Sequence, residues 1–219
     1  MDNISNYWKN FKPNTRENTC PNVSFFRFLG GLIKSLNGKK VLEVGFNNGA
    51  DLFECQKRGA EIYGVDINPN AVSSINFVEK SKIEISRSGV DNIPFNVIFD
   101  VIYTRDTICY LNEKEILFFF EDIENRLNKN GLLIVQYPEQ DIIIERNDLR
   151  ADINFDLFKN SKKVKIAQNN PYRFISAKEL IDSAAIYNLK VFASKRMIQS
   201  FDLYEEEFRV DRYLAFKFN

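Results

Sequence analysis

The 219-residue chain predicts an α/β fold on a mostly parallel sheet. Three observations carry that prediction. Short apolar runs of strand type alternate with segments of helical periodicity. The run Val41 to Leu52 passes from an apolar strand, through a turn of small residues, into a helix. Asp66 closes a second apolar strand about 20 residues after Gly45, the distance at which a carboxylate meets the ribose of a nucleoside held on such a turn.

Each element follows from local pattern. Ser5-Asn6-Tyr7-Trp8-Lys9-Asn10-Phe11 reads as a short helix, and the polar stretch Lys12 to Asn22 as a loop. Phe25, Phe26, Phe28, Leu29, Leu32, Ile33 and Leu36 recur at helical spacing until Gly38 ends the helix. Strand one is Val41 to Val44, and a helix from Ala50 to Arg58 stops at Gly59. Strand two is Ile62 to Val65, after which Asn68 caps a helix opened by Pro69. Lys82 to Ser86 and Val97 to Thr104 are strands three and four. The helix Glu113 to Leu127 turns Ile116, Leu117, Phe119, Phe120, Ile123 and Leu127 to the sheet, and Leu132 to Tyr137 is strand five. Ser176-Ala177-Lys178-Glu179 fits a capping box. Lys190 to Lys195 and Arg212 to Phe218 finish the sheet as a hairpin-like edge. Residues 138–173 are too long for a plain connection. The expected organisation is one domain: an N-terminal helical cap over 1–38, a core over 39–137, a substrate-cap insertion over 138–173, and a last helix and strands over 174–219.

Composition narrows the chemistry. Thirty basic and thirty acidic side chains cancel, which argues against a broad nucleic-acid footprint. The chain has no histidine, so a histidine base, a histidine triad and most zinc sites are excluded. Cys20, Cys55 and Cys109 are too scattered for a disulfide framework or a thiolate metal site, as in a cytoplasmic protein. No leader pattern and no apolar run of about 18 residues is found, so a membrane role is not expected. No resident metal is expected either, although carboxylates such as Asp106, Glu139 and Asp141 leave an oxygen-only Mg²⁺ or Ca²⁺ site open. Oligomeric state is not legible.

The turn itself, Gly45-Phe46-Asn47-Asn48-Gly49, lacks the third glycine that a dinucleotide fingerprint places inside the helix. Glu43 interrupts an otherwise apolar strand. With these features the segment resembles the first motif of the class I S-adenosylmethionine (SAM)-dependent methyltransferases, hydrophobic-hydrophobic-E-hydrophobic-G-x-G-x-G. Ile62 to Pro69 is similar to their second motif, and 92–95, 99–103 and 127–135 match further segments. The likeness covers 38–137 well and 172–218 more loosely. It implies a Rossmann-like methyltransferase fold, a mostly parallel seven-stranded sheet with its last strand antiparallel, helices on both faces, and SAM as cofactor.

Ligands of open α/β sheets bind beyond the carboxyl ends of the strands. The resemblance then implies that Asp66 takes the ribose hydroxyls and that Ile67 packs on adenine. Glu43 orders the turn, which Gly45, Phe46, Asn47, Gly49, Asp51 and Leu52 build around the cofactor, while Val90, Asp91, Thr104 and Arg105 complete the site. Asn47 replaces the family's middle glycine, and asparagine tolerates a left-handed backbone better than most residues. Asp91 stands about two residues later than the family's adenine-reading acid. Asp106 is the first candidate base, because its loop faces the transferred methyl in this family. Glu139 is second, and Tyr103 and Tyr110 remain alternatives. Arg105 suits an anionic substrate group or an ordinary salt bridge.

The expected activity is O-methylation of a small polar molecule. Ile62–Asn68 and Thr104–Leu111 resemble methyltransferases of bacterial surface-polysaccharide pathways, which implies a sugar, nucleotide-sugar or phosphorylated substrate. Thr104-Arg105-Asp106-Thr107 departs from the D/N-P-P-Y/F segment of the DNA amino-methylating members. N-methylation of a small amine or amide, or a non-catalytic partner subunit, stay open as alternatives.

Overall fold

The structure is a computed structural model that describes residues 8, 11–12, 20–75, 83–138, 144–145, 175–200 and 207–219. Most of the expected Ser5–Phe11 helix and of the 138–173 insertion, with Glu139 and Asp141, lies outside the described residues.

Helix α1 (Val23–Leu32) starts where the Asn22 side chain accepts the Phe25 N–H at 2.8 Å. It ends four residues before Leu36, which is buried outside the helix. The expected continuation to Gly38 fails at Gly30-Gly31, where two glycines in the last turn each cost about 1 kcal/mol of helix propensity.

The strands are β1 (Lys40–Val44), β2 (Glu61–Asp66), β3 (Ile83–Arg87), β4 (Phe99–Arg105), β5 (Leu127–Pro138), β6 (Ile144–Glu145), β7 (Leu189–Ser200) and β8 (Glu207–Phe218). Their order is β3-β2-β1-β4-β5-β8, with β7 on the outer side of β8 and the two-residue β6 at its far end. β1 to β5 pair in parallel, and β8 runs antiparallel to both β5 and β7. This is the expected sheet of seven strands with the last antiparallel, with β6 as a short addition. Helix α4 (Glu113–Arg126) runs into β5 without a loop, so the segment 127–131 is strand rather than turn.

Strands β1, β4 and β5 are covered on both faces, which is why they read as near-continuous apolar runs. Leu42 and Val44 join Phe119 and Phe120 of α4 and Leu180 of α5 (Ala177–Ile186). Val41 joins Phe25 and Leu29 of α1 and Leu52 and Cys55 of α2 (Ala50–Lys57). Chain order reverses between β1 and β4, and the carboxyl ends there form the crevice that such a reversal produces.

Caps set the elements around that crevice. Asn68 accepts the Asn70 N–H at 2.9 Å ahead of Pro69, opening α3 (Pro69–Ser74). Asn112 and Glu115 form a reciprocal capping box at α4. At α5 Ser176 Oγ accepts the Glu179 N–H at 3.1 Å. Among the described residues no helix is long and apolar enough to cross a membrane.

Candidate active site

Gly45 ends β1 at φ +80°, and its N–H donates to Val65 O at 2.8 Å. A Cβ there would lie 2.0 Å from Thr107 Oγ1. Thr107 Oγ1 itself sits 3.2 Å from both Val44 O and Arg105 O. The glycine therefore lets the β1 and β4 ends approach one another. Asn47 takes φ +50°, so the left-handed turn expected of it is present, and Gly49 begins α2 at φ +73°.

Asp66 holds this turn from β2. Its Oδ2 accepts the Asn47 N–H and its Oδ1 the Asn68 N–H, both at 2.8 Å. Burial raises the carboxyl, and those two backbone bonds oppose the rise.

A cavity of about 720 Å³ opens over these ends, within the range of small-molecule sites. Gly45, Asn47, Asp66, Ile67, Val90, Asp91 and Arg105 line it, as does Asp106. Glu43, Phe46, Gly49, Asp51, Leu52 and Thr104 do not; except for Gly49, whose position is backbone, their side chains are buried in or against the sheet. Trp8, Thr107, Tyr110, Leu111, Glu115 and Phe118 complete one wall. Most of these fall just after β4 or on the first turns of α4. The signal that finds them is the rim rule extended from strand ends to the helix that follows.

Trp8 meets Tyr110 edge-on at 4.9 Å between ring centroids. Phe11 O accepts from the Asn68 and Asn70 side-chain amides at 3.1 and 3.0 Å. These contacts tie the N-terminal segment to the cavity mouth.

Asp106 follows β4 with φ +53°, uncommon outside glycine. Its N–H donates to Gln136 O at 3.1 Å, and its Oδ1 accepts from Gln136 Nε2 at 3.4 Å. Cys109 Sγ lies 3.3 Å from its carbonyl oxygen. Gln136 is buried, and a polar residue within the apolar run of β5 is the signal that marks it.

Beneath the turn lies a buried polar layer. Tyr103 O–H donates to Glu43 Oε2 at 2.8 Å. Arg105 Nη1 meets Asp51 Oδ2 at 2.6 Å, and the Asn22 N–H donates to Asp51 Oδ1 at 2.7 Å. Burial, then the Asp51 charge, push the Glu43 carboxyl well above its ordinary value; Arg105 and the Tyr103 bond only partly oppose this. A carboxyl raised on folding stabilises below its unfolded value, about 4.5, and that stabilisation is lost as pH rises through the folded value. Glu43→Gln keeps the neutral shape. Thermal unfolding should show the two proteins alike near about pH 4, with the variant increasingly the more stable toward about pH 8. A constant difference across that range would refute it.

A family model described as a methyltransferase domain matches residues 15–193. The chain belongs to the class I SAM-dependent methyltransferases. Through membership of that family, this methyltransferase has SAM as its implied cofactor. It is 33% identical over 87 residues to phosphoethanolamine N-methyltransferase 1 of Arabidopsis thaliana, a match covering 37% of this chain and 18% of that protein. The methyltransferase thus spans less than a fifth of that relative. Its fold is similar to magnesium protoporphyrin IX methyltransferase of Synechocystis PCC 6803, solved with bound S-adenosylhomocysteine (SAH), at TM-score 0.62 and 12% identity over 90% of this chain and 81% of that one. A SAM-dependent methyltransferase of Clostridium acetobutylicum gives TM-score 0.61 and 12% identity over 90% of each chain. The residues present fit SAM: the cavity carries the Asp66 carboxylate at the β2 end, with Gly45 and Asn47 of the turn on the same wall.

Proposed function

We propose that this methyltransferase acts on a small polar acceptor, methylating an oxygen of a sugar, nucleotide-sugar or phosphorylated intermediate of bacterial surface-polysaccharide biosynthesis. The observation that carries the reading is Asp106, a carboxylate on the cavity wall whose strained backbone is held from Gln136 and Cys109. A zero net charge supports a small acceptor over a polyanion.

When bound, the cofactor would supply an electrophilic methyl on a sulfonium, whose C–S bond breaks on transfer and leaves SAH as a neutral thioether. Asp66 orients the ribose, and Ile67 with Val90 forms the apolar side of the adenine site. Trp8 and Tyr110 exclude water from the mouth. Asp106 takes the proton of an acceptor hydroxyl as the oxygen attacks the methyl carbon, with Glu139 as the alternative base. Residues 138–173, the stretch of sequence that continues from the end of β5, serve as the acceptor-binding cap. Alignment of this kind is worth about 7–11 kcal/mol of the barrier.

A second reading is methylation of a small amine, favoured by the segment shared with the plant phosphoethanolamine enzyme.

Two measurements test the proposal. SAH at about one hundred times its dissociation constant should stabilise the parent by about 2.7 kcal/mol, or about 5–11 °C in a domain of this size. Asp66→Ala should abolish that ligand-dependent shift; a shift equal to the parent's would remove Asp66 from the cofactor site. Methyl-labelled SAM offered with hydroxyl and amine panels then separates the readings. Label on sugar hydroxyls supports the first, label on amines alone supports the second, and label on neither overturns both.

A further inference from the structure

The cavity carries one resource that the reaction just described leaves unassigned. Carboxylates are plentiful on its walls, with Asp66, Asp91, Asp106 and Glu115. Among the described residues, Arg105 is its sole cation. Arg105 ends β4, beside the Gly45 turn, whereas Asp66, Ile67 and Val90 gather at the β2 and β3 ends. The β4 end of the cavity thus offers its one described cation beside the carboxylates Asp106 and Glu115. The amino-acid end of an adenosine amino acid carries both a carboxylate and an ammonium, and suits that mixed end.

The guanidinium is held in place before any ligand arrives. Asp51 Oδ2 takes Nη1 at 2.6 Å, and Asp51 is itself fixed by the Asn22 N–H. Nε is buried without a hydrogen-bond partner among the described residues. Arg105 lines the cavity, so the side of its fork that Asp51 does not occupy is available to a ligand there. Burial works against the positive charge, but Asp51 and Asp106 outweigh it and keep Arg105 ionised. An arginine fork can serve two carboxylates at once, one structural and one from a ligand.

We propose that Arg105 binds the carboxylate of the methionine end of the cofactor and that Asp51 is the positioning residue that aims it. The proposal rests on the cofactor reading of the cavity. It also changes the part of Asp51, which acts through Arg105 and not by touching the ligand. Asn22, at the start of α1, joins the N-terminal segment to the same brace.

The test compares two ligands by titration calorimetry on the full chain. SAH has the whole amino-acid end; 5′-methylthioadenosine keeps the adenosine and the thioether but lacks the amino acid. Arg105→Met should weaken SAH by about 10- to 100-fold, the worth of a charge-assisted bond, and leave methylthioadenosine within about twofold. Asp51→Asn should weaken SAH less, again without touching methylthioadenosine. Should Arg105→Met alone not fold, because it strands the Asp51 carboxylate, Asp51→Asn/Arg105→Met removes that charge and carries the same expectation. Methylthioadenosine binding reports that the adenosine half is intact in each variant. Equal losses for both ligands, or no loss for either, would overturn the proposal. A parent that binds methylthioadenosine and SAH equally would also overturn it, and one that binds neither would remove the cofactor reading with it.

Discussion

Asp106→Asn should lower kcat on a hydroxyl acceptor by about 10²- to 10⁴-fold, the range that a positioned general base contributes. The amide is nearly isosteric and its Oδ1 can still accept from Gln136, so SAH affinity should stay within about twofold. The same variant sorts the two acceptor chemistries. A hydroxyl must lose its proton as it attacks, whereas an amine that binds in its neutral form already offers a lone pair. Turnover of a labelled hydroxyl acceptor unchanged in Asp106→Asn would dismiss Asp106 as the base and leave Glu139 to be tested next.

The second large effect is expected at Gly45. Valine there must adopt φ +80° and place its Cβ 2.0 Å from Thr107 Oγ1. A left-handed backbone costs about 1–2 kcal/mol for a residue with a Cβ, and more when it is branched. Forcing the β1 and β4 ends apart adds about 1–3 kcal/mol of overpacking. Gly45→Val should thus lose about 2–5 kcal/mol in urea unfolding and show no thermal shift with SAH. Gly30, in α1, has nothing within 4 Å of its would-be Cβ and makes the matched control. Gly30→Ala should be neutral or slightly stabilising and keep the full SAH response. An SAH shift of parental size in Gly45→Val would mean that the cavity does not depend on this approach.

The central strands and the turn were legible because their signals are local. The apolar run of β1, buried on two faces, ends at Gly45; Gly49 and Gly59 bracket α2, and Asn68 with Pro69 writes a helix start into two letters. The resemblance puts Asn47 at the family's middle glycine, asparagine tolerates a left-handed turn there, and φ +50° agrees. The fate of the polar residues around the turn was not local. Glu43 shares a sheet face with Val41, so it packs beside Tyr103 under α2. Asp51 finds Arg105 across fifty-odd positions of chain, and no window of sequence reports that pairing. Gln136 had a signal, a lone amide in an apolar strand, but its partner Asp106 appears only once β4 and β5 are side by side. The α1 boundary was misjudged because helical spacing continues through Leu36, while the Gly30-Gly31 pair ends the helix at Leu32.

The position of β8 carries a consequence for how the chain is made. It pairs with β5 on one side and β7 on the other, yet it follows both in the sequence. A nascent chain that has emerged only as far as β7 therefore has two open strand edges and no strand between them. β8 supplies Tyr213 and Ala215 to one core and Leu214 and Phe216 to the other, so neither core closes before it arrives. Assembly then waits on contacts far apart in sequence, which slows folding and lengthens the time those edges are exposed to other chains.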